Sequence, residues 1–393
     1  MSLTEVAALN AATPSFEAVV DEAIALRRAI HRHPELAFHE TRTSGLVADS
    51  LQAWGYEVTT GVGGTGVVGV LTRGRGTKRL GLRADLDALP VQEATGLPFA
   101  SEAAGRMHAC GHDGHTAILL AAARRLAEDG RFSGTLNLIF QPAEETGAGA
   151  RKMIAEGLFE RFPCDAIFGL HNWPGAPAGR FGFVEGPAMA SVDQAIVDIV
   201  GKGGHGASPH ETVDPIVASA HVITALQTVV SRSVDPLDAA VVTVGSIHGG
   251  DASNVIPDKV SLKLTIRTFD ADVRADLQAR IPKLIQSVCE ALGASAKVNY
   301  QLGFPSVVNH VAETRFARQV AIDLFGPEGE IRGFRPRSAS EDFAYFLEAR
   351  PGAFLFLGNG EGEPLHNPRY AFNDAVIAPG AAFWVRLAET FLT

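Results

Sequence analysis

The sequence predicts an α/β protein of two domains, one inserted into the other. The outer domain has a mostly parallel sheet flanked by helices, and the insert is a ferredoxin-like βαββαβ unit. Three observations carry this prediction. The chain has 393 residues, well beyond the roughly 100–200 of a usual single domain. On both sides of the chain, short apolar runs bounded by turn residues alternate with stretches of helical periodicity, the pattern of a buried parallel sheet. In the middle third the order changes to β-α-β-β-α-β, the split βαβ unit. The domain boundaries fall near 186 and 303, so the outer domain comprises 1–185 and 303–393 and the insert 186–302.

The elements follow in order. Phe16–Ile30 has apolar residues at helical spacing (Val19, Val20, Ala23, Ile24, Ile30), and Pro34 stops it. A second helix covers Thr41–Trp54 and ends near Gly55. The runs Val67–Leu71, Arg79–Asp85, Thr135–Phe140, Ala166–Leu170 and Ala353–Leu357 read as strands. Between the second and third of these lies a strongly apolar helix, His115–Ala127, with Asp113 as its N-cap and Asp129-Gly130 as its stop. In the insert, Val192–Val200, Ala239–Ile247, Lys259–Phe269 and Ala296–Leu302 are strands, and Asp214–Ser231 and Asp272–Leu292 are helices. Lys259–Phe269 alternates cleanly, with Val260, Leu262, Leu264 and Ile266 on one face.

Composition narrows the function classes. Apolar residues make up 46% and charged residues 20%, enough for sizeable cores and unlike a disordered chain. Lys+Arg 34 against Asp+Glu 44 gives a net charge of −10 without a basic block, which disfavours nucleic acid and anionic membranes as partners. The first 25 residues carry no Lys or Arg, and no apolar run approaches the ~18–20 residues that span a bilayer. Three scattered cysteines suit a reducing compartment. The expectation is a cytoplasmic protein. The 13 histidines are unevenly spread, with His108, His112 and His115 close together beside Cys110.

Chemistry concentrates after strand ends, where open α/β sheets bind ligands. Asp85 ends one strand, Glu144-Glu145 follow another, His171 ends a third, His366 lies in a later loop, and Cys110 and His112 precede the apolar helix. Cys110 and His112 offer a thiolate and an imidazole, both good ligands for a divalent transition metal; the bland alternative is a small buried cysteine. Glu144-Glu145 could be a solvated loop, but hydrolysis at a metal needs one carboxylate as ligand and another to take a proton from water. His171 and His366 each sit in a His-Asn segment running into proline. Taken singly, each is as well read as an ordinary hydrogen-bonded histidine. Asp85 is suited to accept a ligand histidine's N–H and fix its tautomer, or to be a turn residue. In the insert, the Gly-rich segment Gly201–His210 lacks a phosphate-loop pattern and fits better as a flexible carrier of His205, an oxyanion donor. Asn254 and Arg267 could contact a substrate carbonyl or carboxylate, although Arg267 is equally well read as an exposed strand arginine.

Several segments, in order, resemble the M20 metallopeptidase family. They are Leu82–Pro90 (LRADLDALP), Met107–Thr116 (MHACGHDGHT), Gln141–Glu145 (QPAEE), Gly201–His210, Ser340–Phe343 (SEDF) and Leu365–Asn367. Within that family they are most similar to the amidohydrolase branch, subfamily D, which holds hippurate hydrolases, N-acyl-amino-acid amidohydrolases and auxin-conjugate hydrolases. The resemblance runs from about His31 to Asp374. It implies two divalent metal ions (Zn, Mn, Ni or Co) held by Cys110, His112, Glu145, His171 and His366. Glu144 would be the general base, and Asp85 would orient a ligand. It also implies that the insert is a lid that mediates a homodimer or homotetramer, in which His205 and Asn254 can reach the partner's site. Arg83 stands where other branches have a metal-binding histidine, and Cys110 where they have a bridging aspartate. The expected activity is hydrolysis of the amide bond of N-acyl amino acids. A dipeptidase or aminopeptidase of the same fold is the alternative; thiol catalysis by Cys110 or a silent metal-binding protein are less economical.

Overall fold

The computed structural model describes residues 15–393. Helix α1 (Phe16–Arg32) starts at Ser15, whose hydroxyl accepts from the Ala18 N–H at 3.2 Å. Helix α2 (Thr41–Ala53) follows, then strands β1 (Glu57–Val62), β2 (Gly66–Arg73) and β3 (Arg79–Asp85). Helix α3 (His112–Asp129), strand β4 (Gly134–Gln141), helix α4 (Gly149–Ala155), and strands β5 (Ala166–Pro174) and β6 (Phe181–Gly182) complete the stretch before the insert. The insert holds β7 (Asp193–Val200), β8 (Gly204–His205), α5 (Pro215–Thr228), β9 (Ala240–His248), β10 (Val255–Ile256), β11 (Lys259–Thr268), α6 (Ala271–Ala291) and β12 (Ser295–Leu302). The chain then returns through α7 (Val311–Phe325), β13 (Gly352–Gly360) and α8 (Ile377–Phe391).

The chain forms two compact units: residues up to Gly186 with Val308–Arg335 and Tyr345–Thr393, and Pro187–Val307 with Pro336–Ala344. In the first, a seven-stranded sheet has the order β1-β2-β4-β3-β5-β13-β6. The four central strands β4, β3, β5 and β13 are parallel. Strands β1, β2 and β6 pair antiparallel at the edges, the first two as a tight hairpin that needs no crossover helix. All four central strands therefore deliver their carboxyl ends to one edge of the sheet. Helix α3 is buried along its whole first three turns, from His112 to Ala123, because α1, α8 and β3 pack around it.

Helix α3 corrects one expectation. It begins at His112 rather than near His115, and Asp113 lies inside its first turn instead of capping it. The Asp113 carboxylate is fully buried and occupied elsewhere, by the Arg27 guanidinium at 2.9 Å and the His31 imidazole at 2.8 Å.

In the second unit four antiparallel strands lie in the order β9-β11-β7-β12, the ferredoxin-like arrangement. Helices α5 and α6 pack on its apolar face, where Val260, Leu262, Leu264 and Ile266 of β11 are buried. This unit also takes in Pro336–Ala344, tied back by the Ala190 N–H to the carbonyls of Arg337 (3.1 Å) and Ala339 (3.0 Å). Among the described residues no helix is long and apolar enough to cross a membrane.

Candidate metal centre

The parallel strands bring the chemistry of the first unit to one place. Strand β3 ends at Asp85, with Asp87 two residues on. Cys110 and His112 bracket Gly111, which takes φ 88°. A Cβ at Gly111 would overlap the Asn172 amide and the Tyr370 hydroxyl, so the close approach of these chains requires glycine there. Strand β4 runs into Pro142 and Ala143, which has a left-handed φ of 53°, and this turn presents Glu144 and Glu145. His171 sits near the end of β5. His366, also left-handed at φ 66°, is fastened by its N–H to the Ala109 carbonyl at 2.8 Å.

Among the described residues five sets of potential ligand atoms lie within 4.8 Å of one another, and two of them share the Cys110 thiol: Cys110 with His112 and His171, and Cys110 with Glu145 and His366. The Cys110 Sγ lies 3.3 Å from His171 Nε2, and His366 Nε2 lies 3.5 Å from Glu145 Oε1. Glu144 Oε2 stands 3.9 Å from His112 Nε2.

The imidazoles are pre-set for cations. His112 Nδ1 meets the Asp87 carbonyl at 2.9 Å, and His171 Nδ1 meets the Asn172 carbonyl at 2.7 Å. A carbonyl only accepts, so each Nδ1 carries a proton and each Nε2 is the ring atom left facing the cluster. His112 Nε2 and Glu145 Oε1 are buried and make no hydrogen bond among the described residues. A buried polar atom without a partner is costly unless an ion meets it. Thiolate, imidazole and carboxylate donors fit a divalent transition metal.

The carboxylates around the site favour positive charge there, held as protons until a metal cation displaces them. Burial would lower the His112 pKa, but Asp85, Asp87 and Glu145 raise it to about 10. Burial, with Glu145, Glu144 and Asp85, pushes the Cys110 thiol well up, so a cation bound there would displace a proton. For Asp85 burial acts upward, yet His112, His115 and Arg83 outweigh it and hold the carboxyl well below the usual range.

Asp85 faces His115 Nδ1 at 2.7 Å through one oxygen and Arg83 Nη1 at 2.7 Å through the other. It is 3.7 Å from His112 Nε2. His115 Nε2 accepts the Asn172 N–H at 3.0 Å, which leaves it a neutral link between Asp85 and the β5 end. His108 belongs to no ligand set; it is buried near His31, and burial lowers it to about 3.

Three further candidates lie in the second unit. His205 and Asn254 flank each other where β8 meets β10, with the Gly206 N–H on the Asn254 carbonyl at 2.8 Å. His205 Nδ1 accepts from the Ala207 N–H at 3.0 Å. Half-buried Arg267 donates to the Ser340 hydroxyl.

Sequence reasoning missed four buried residues that hold the centre in place. Asp87 and Glu40 accept from the Glu144-Glu145 turn. Asn172 donates to the Cys110 carbonyl at 2.7 Å and accepts from Tyr370 at 2.6 Å. The signal for Asp87 was an acidic residue between Leu86 and Ala88 in an otherwise buried run.

Residues 81–390 match the family described as Peptidase family M20/M25/M40. The chain belongs to that family. Hippurate hydrolase of Campylobacter jejuni is 44% identical to this M20 chain over 367 residues, covering 93% of it and 96% of the relative. N-acetyl-L-cysteine deacetylase of Bacillus subtilis is 40% identical over 374 residues, covering 94% and 88%. A solved dinuclear metal-binding peptidase of the M20 family from Bacillus subtilis superposes with TM-score 0.83 at 34% identity, covering 96% of this chain and 99% of that one. These relatives place the chain in the amidohydrolase branch of M20 and make it a hydrolase of amide bonds.

Proposed function

We propose that the protein cleaves the amide bond of N-acyl amino acids at a centre for two divalent metal ions, drawn from Zn, Mn, Ni and Co. Cys110, His112, Glu145, His171 and His366 would hold the ions, with Cys110 shared. The observation that carries this reading is the pair of ligand sets meeting at Cys110 with the Glu144 carboxylate beside them. When bound, such ions acidify water and polarise a carbonyl. Glu144 takes a proton from the attacking water, the water oxygen bonds to the acyl carbon, and the C–N bond breaks as Glu144 passes the proton to the departing amine. The products are a carboxylic acid and an amino acid. His205 is assigned to the developing oxyanion, and Asn254 and Arg267 to the carbonyl and carboxylate of the substrate. Asp85 keeps His115 in one tautomer behind the ligands. The acyl-amino-acid substrate class is supported by what the 44% and 40% identical relatives are named for. A cytoplasmic homodimer or homotetramer built through the insert completes the proposal.

The test compares hydrolysis of N-benzoylglycine and N-acetyl amino acids with that of a free dipeptide. The Glu144→Gln variant runs beside the parent. The expected result is turnover of the acyl substrates only, with E144Q retaining its metal and losing about 10²–10⁴-fold in kcat. Preferential turnover of the dipeptide would make the protein a peptidase instead, and parental turnover by E144Q would remove Glu144 as the base.

A further inference from the structure

The turn that presents Glu144 and Glu145 has three consecutive backbone N–H groups, and all three end on buried carboxylates. The Ala143 N–H meets Glu40 Oε1 at 2.8 Å. The Glu144 N–H meets Asp87 Oδ1 at 3.0 Å, and the Glu145 N–H meets Asp87 Oδ2 at 3.0 Å. Glu40 and Asp87 are both fully buried. The other Glu40 oxygen accepts from the Thr65 hydroxyl. Asp87 also faces His112: its carbonyl is 2.9 Å and its Oδ1 is 3.3 Å from Nδ1.

We infer that Asp87, backed by Glu40, is a positioning residue for the reaction. It sets the aim of the proton-transferring Glu144 and of Glu145 through its buried carboxylate, and meets His112 through its own carbonyl. The inference rests on the assignment of Glu144 proposed above. Two backbone N–H donors converge on the Asp87 carboxylate, one on each oxygen. Only a carboxylate offers two oxygens and no N–H of its own to such a set. Ala143 stands in the left-handed region that non-glycine residues adopt reluctantly, and the Glu40 contact holds it there. That conformation turns the following two side chains into the cluster. Releasing the clamp would let the turn relax, and a misplacement of about 1 Å in such a group lowers turnover by about 100-fold.

The experiment compares Asp87→Asn, Glu40→Leu and Glu40→Gln with the parent and E144Q. Each protein is measured for kcat and KM on N-benzoylglycine, corrected to the folded fraction, and for zinc retained against a competing chelator. An asparagine at position 87 sets an amide N–H against a backbone N–H. For D87N, kcat should fall about 10–100-fold with KM within about threefold, and zinc should be lost at about tenfold lower chelator. E40L should fall about tenfold, whereas E40Q keeps an oxygen for Ala143 and stays within about threefold of the parent. A D87N protein with parental kcat and zinc retention overturns the inference, whatever its melting temperature. Should D87N not fold, parental kcat in E40L overturns it equally. A parent inactive on acyl substrates, or an active E144Q, refutes the proposed function instead, and zinc retention in D87N still decides the clamp on Glu145.

Discussion

At Gly111 the backbone and two neighbouring side chains share a space that admits no Cβ. Gly111→Ala adds about 1–3 kcal/mol of backbone strain to that overlap. It should therefore lower the melting temperature by several degrees and weaken zinc retention, both readable in one thermal scan with and without zinc. An unchanged melting temperature would show that the Cys110–His112 segment tolerates another conformation. The shared thiol makes a second expectation. If Cys110 holds an ion as proposed, Cys110→Ser replaces a soft donor with a hard one, so retention of zinc should fall more than that of manganese in parallel chelator titrations; an equal loss of both would mean softness is not what Cys110 contributes. Residues of this kind were legible because their types carry the chemistry wherever they fall. Asp87 was marked only as an acid in an apolar run; its part depends on accepting from backbone 57 and 58 positions away, which the local sequence does not show.

Helices α1 and α3 are joined by buried charge. Arg27 and His31 on α1 both meet Asp113 on α3, and His31 Nε2 also reaches Glu93 at 3.3 Å. Burial would lower the His31 pKa, but Asp113 and Glu93 raise it to about 9. A folded-state value above the unfolded 6.5 means that the stabilisation is fully present below pH 6.5 and is lost as the pH rises through 9. The amount is on the order of 3 kcal/mol. Asp113 runs oppositely: burial acts upward, but His31 and Arg27 hold its pKa far down, so its contribution disappears only in strong acid. Thermal melts should thus show a loss of stability between about pH 6.5 and 9 that is absent in His31→Gln; the same slope in both proteins would assign it to other groups. The wrong start for α3 has the same origin. A lone Asp before an apolar helix looks like a cap, and only the distant Arg27 and His31 make it a buried anchor. Strand β1 was missed because its edge position leaves Glu57, Thr60 and Gly61 exposed, without an apolar run. Helix α8 was missed because Pro379-Gly380 resembles a break.

At the scale of the molecule, each unit has its own apolar core. The two sets of potential ligand atoms that share Cys110 lie wholly within the first. A ligand that binds only the folded form stabilises the unit that holds it. Calorimetry should therefore show a chelator-sensitive transition, restored by added zinc, and a second one that does not move; two transitions shifting together would mean the units unfold as one. The two-part architecture was legible because the periodicity changes where the insert begins. The gathering of Cys110, His112, Glu145 and His171 was legible from the rule about strand ends. The acceptors behind them were not, since Glu40 and Ala143 are 103 positions apart.

The order of strands in the large sheet also has a consequence for synthesis. Strand β13 lies between β5 and β6 and is translated only after the whole of the insert. While a ribosome is still making residue 340, the four-stranded sheet of the insert is already complete, whereas the seven-stranded sheet lacks an interior member. His366 emerges later still. Cys110, His112 and His171 are thus available early, but the set with Glu145 closes only near the end of translation. A nascent or prematurely terminated chain would carry half a centre on an unfinished sheet.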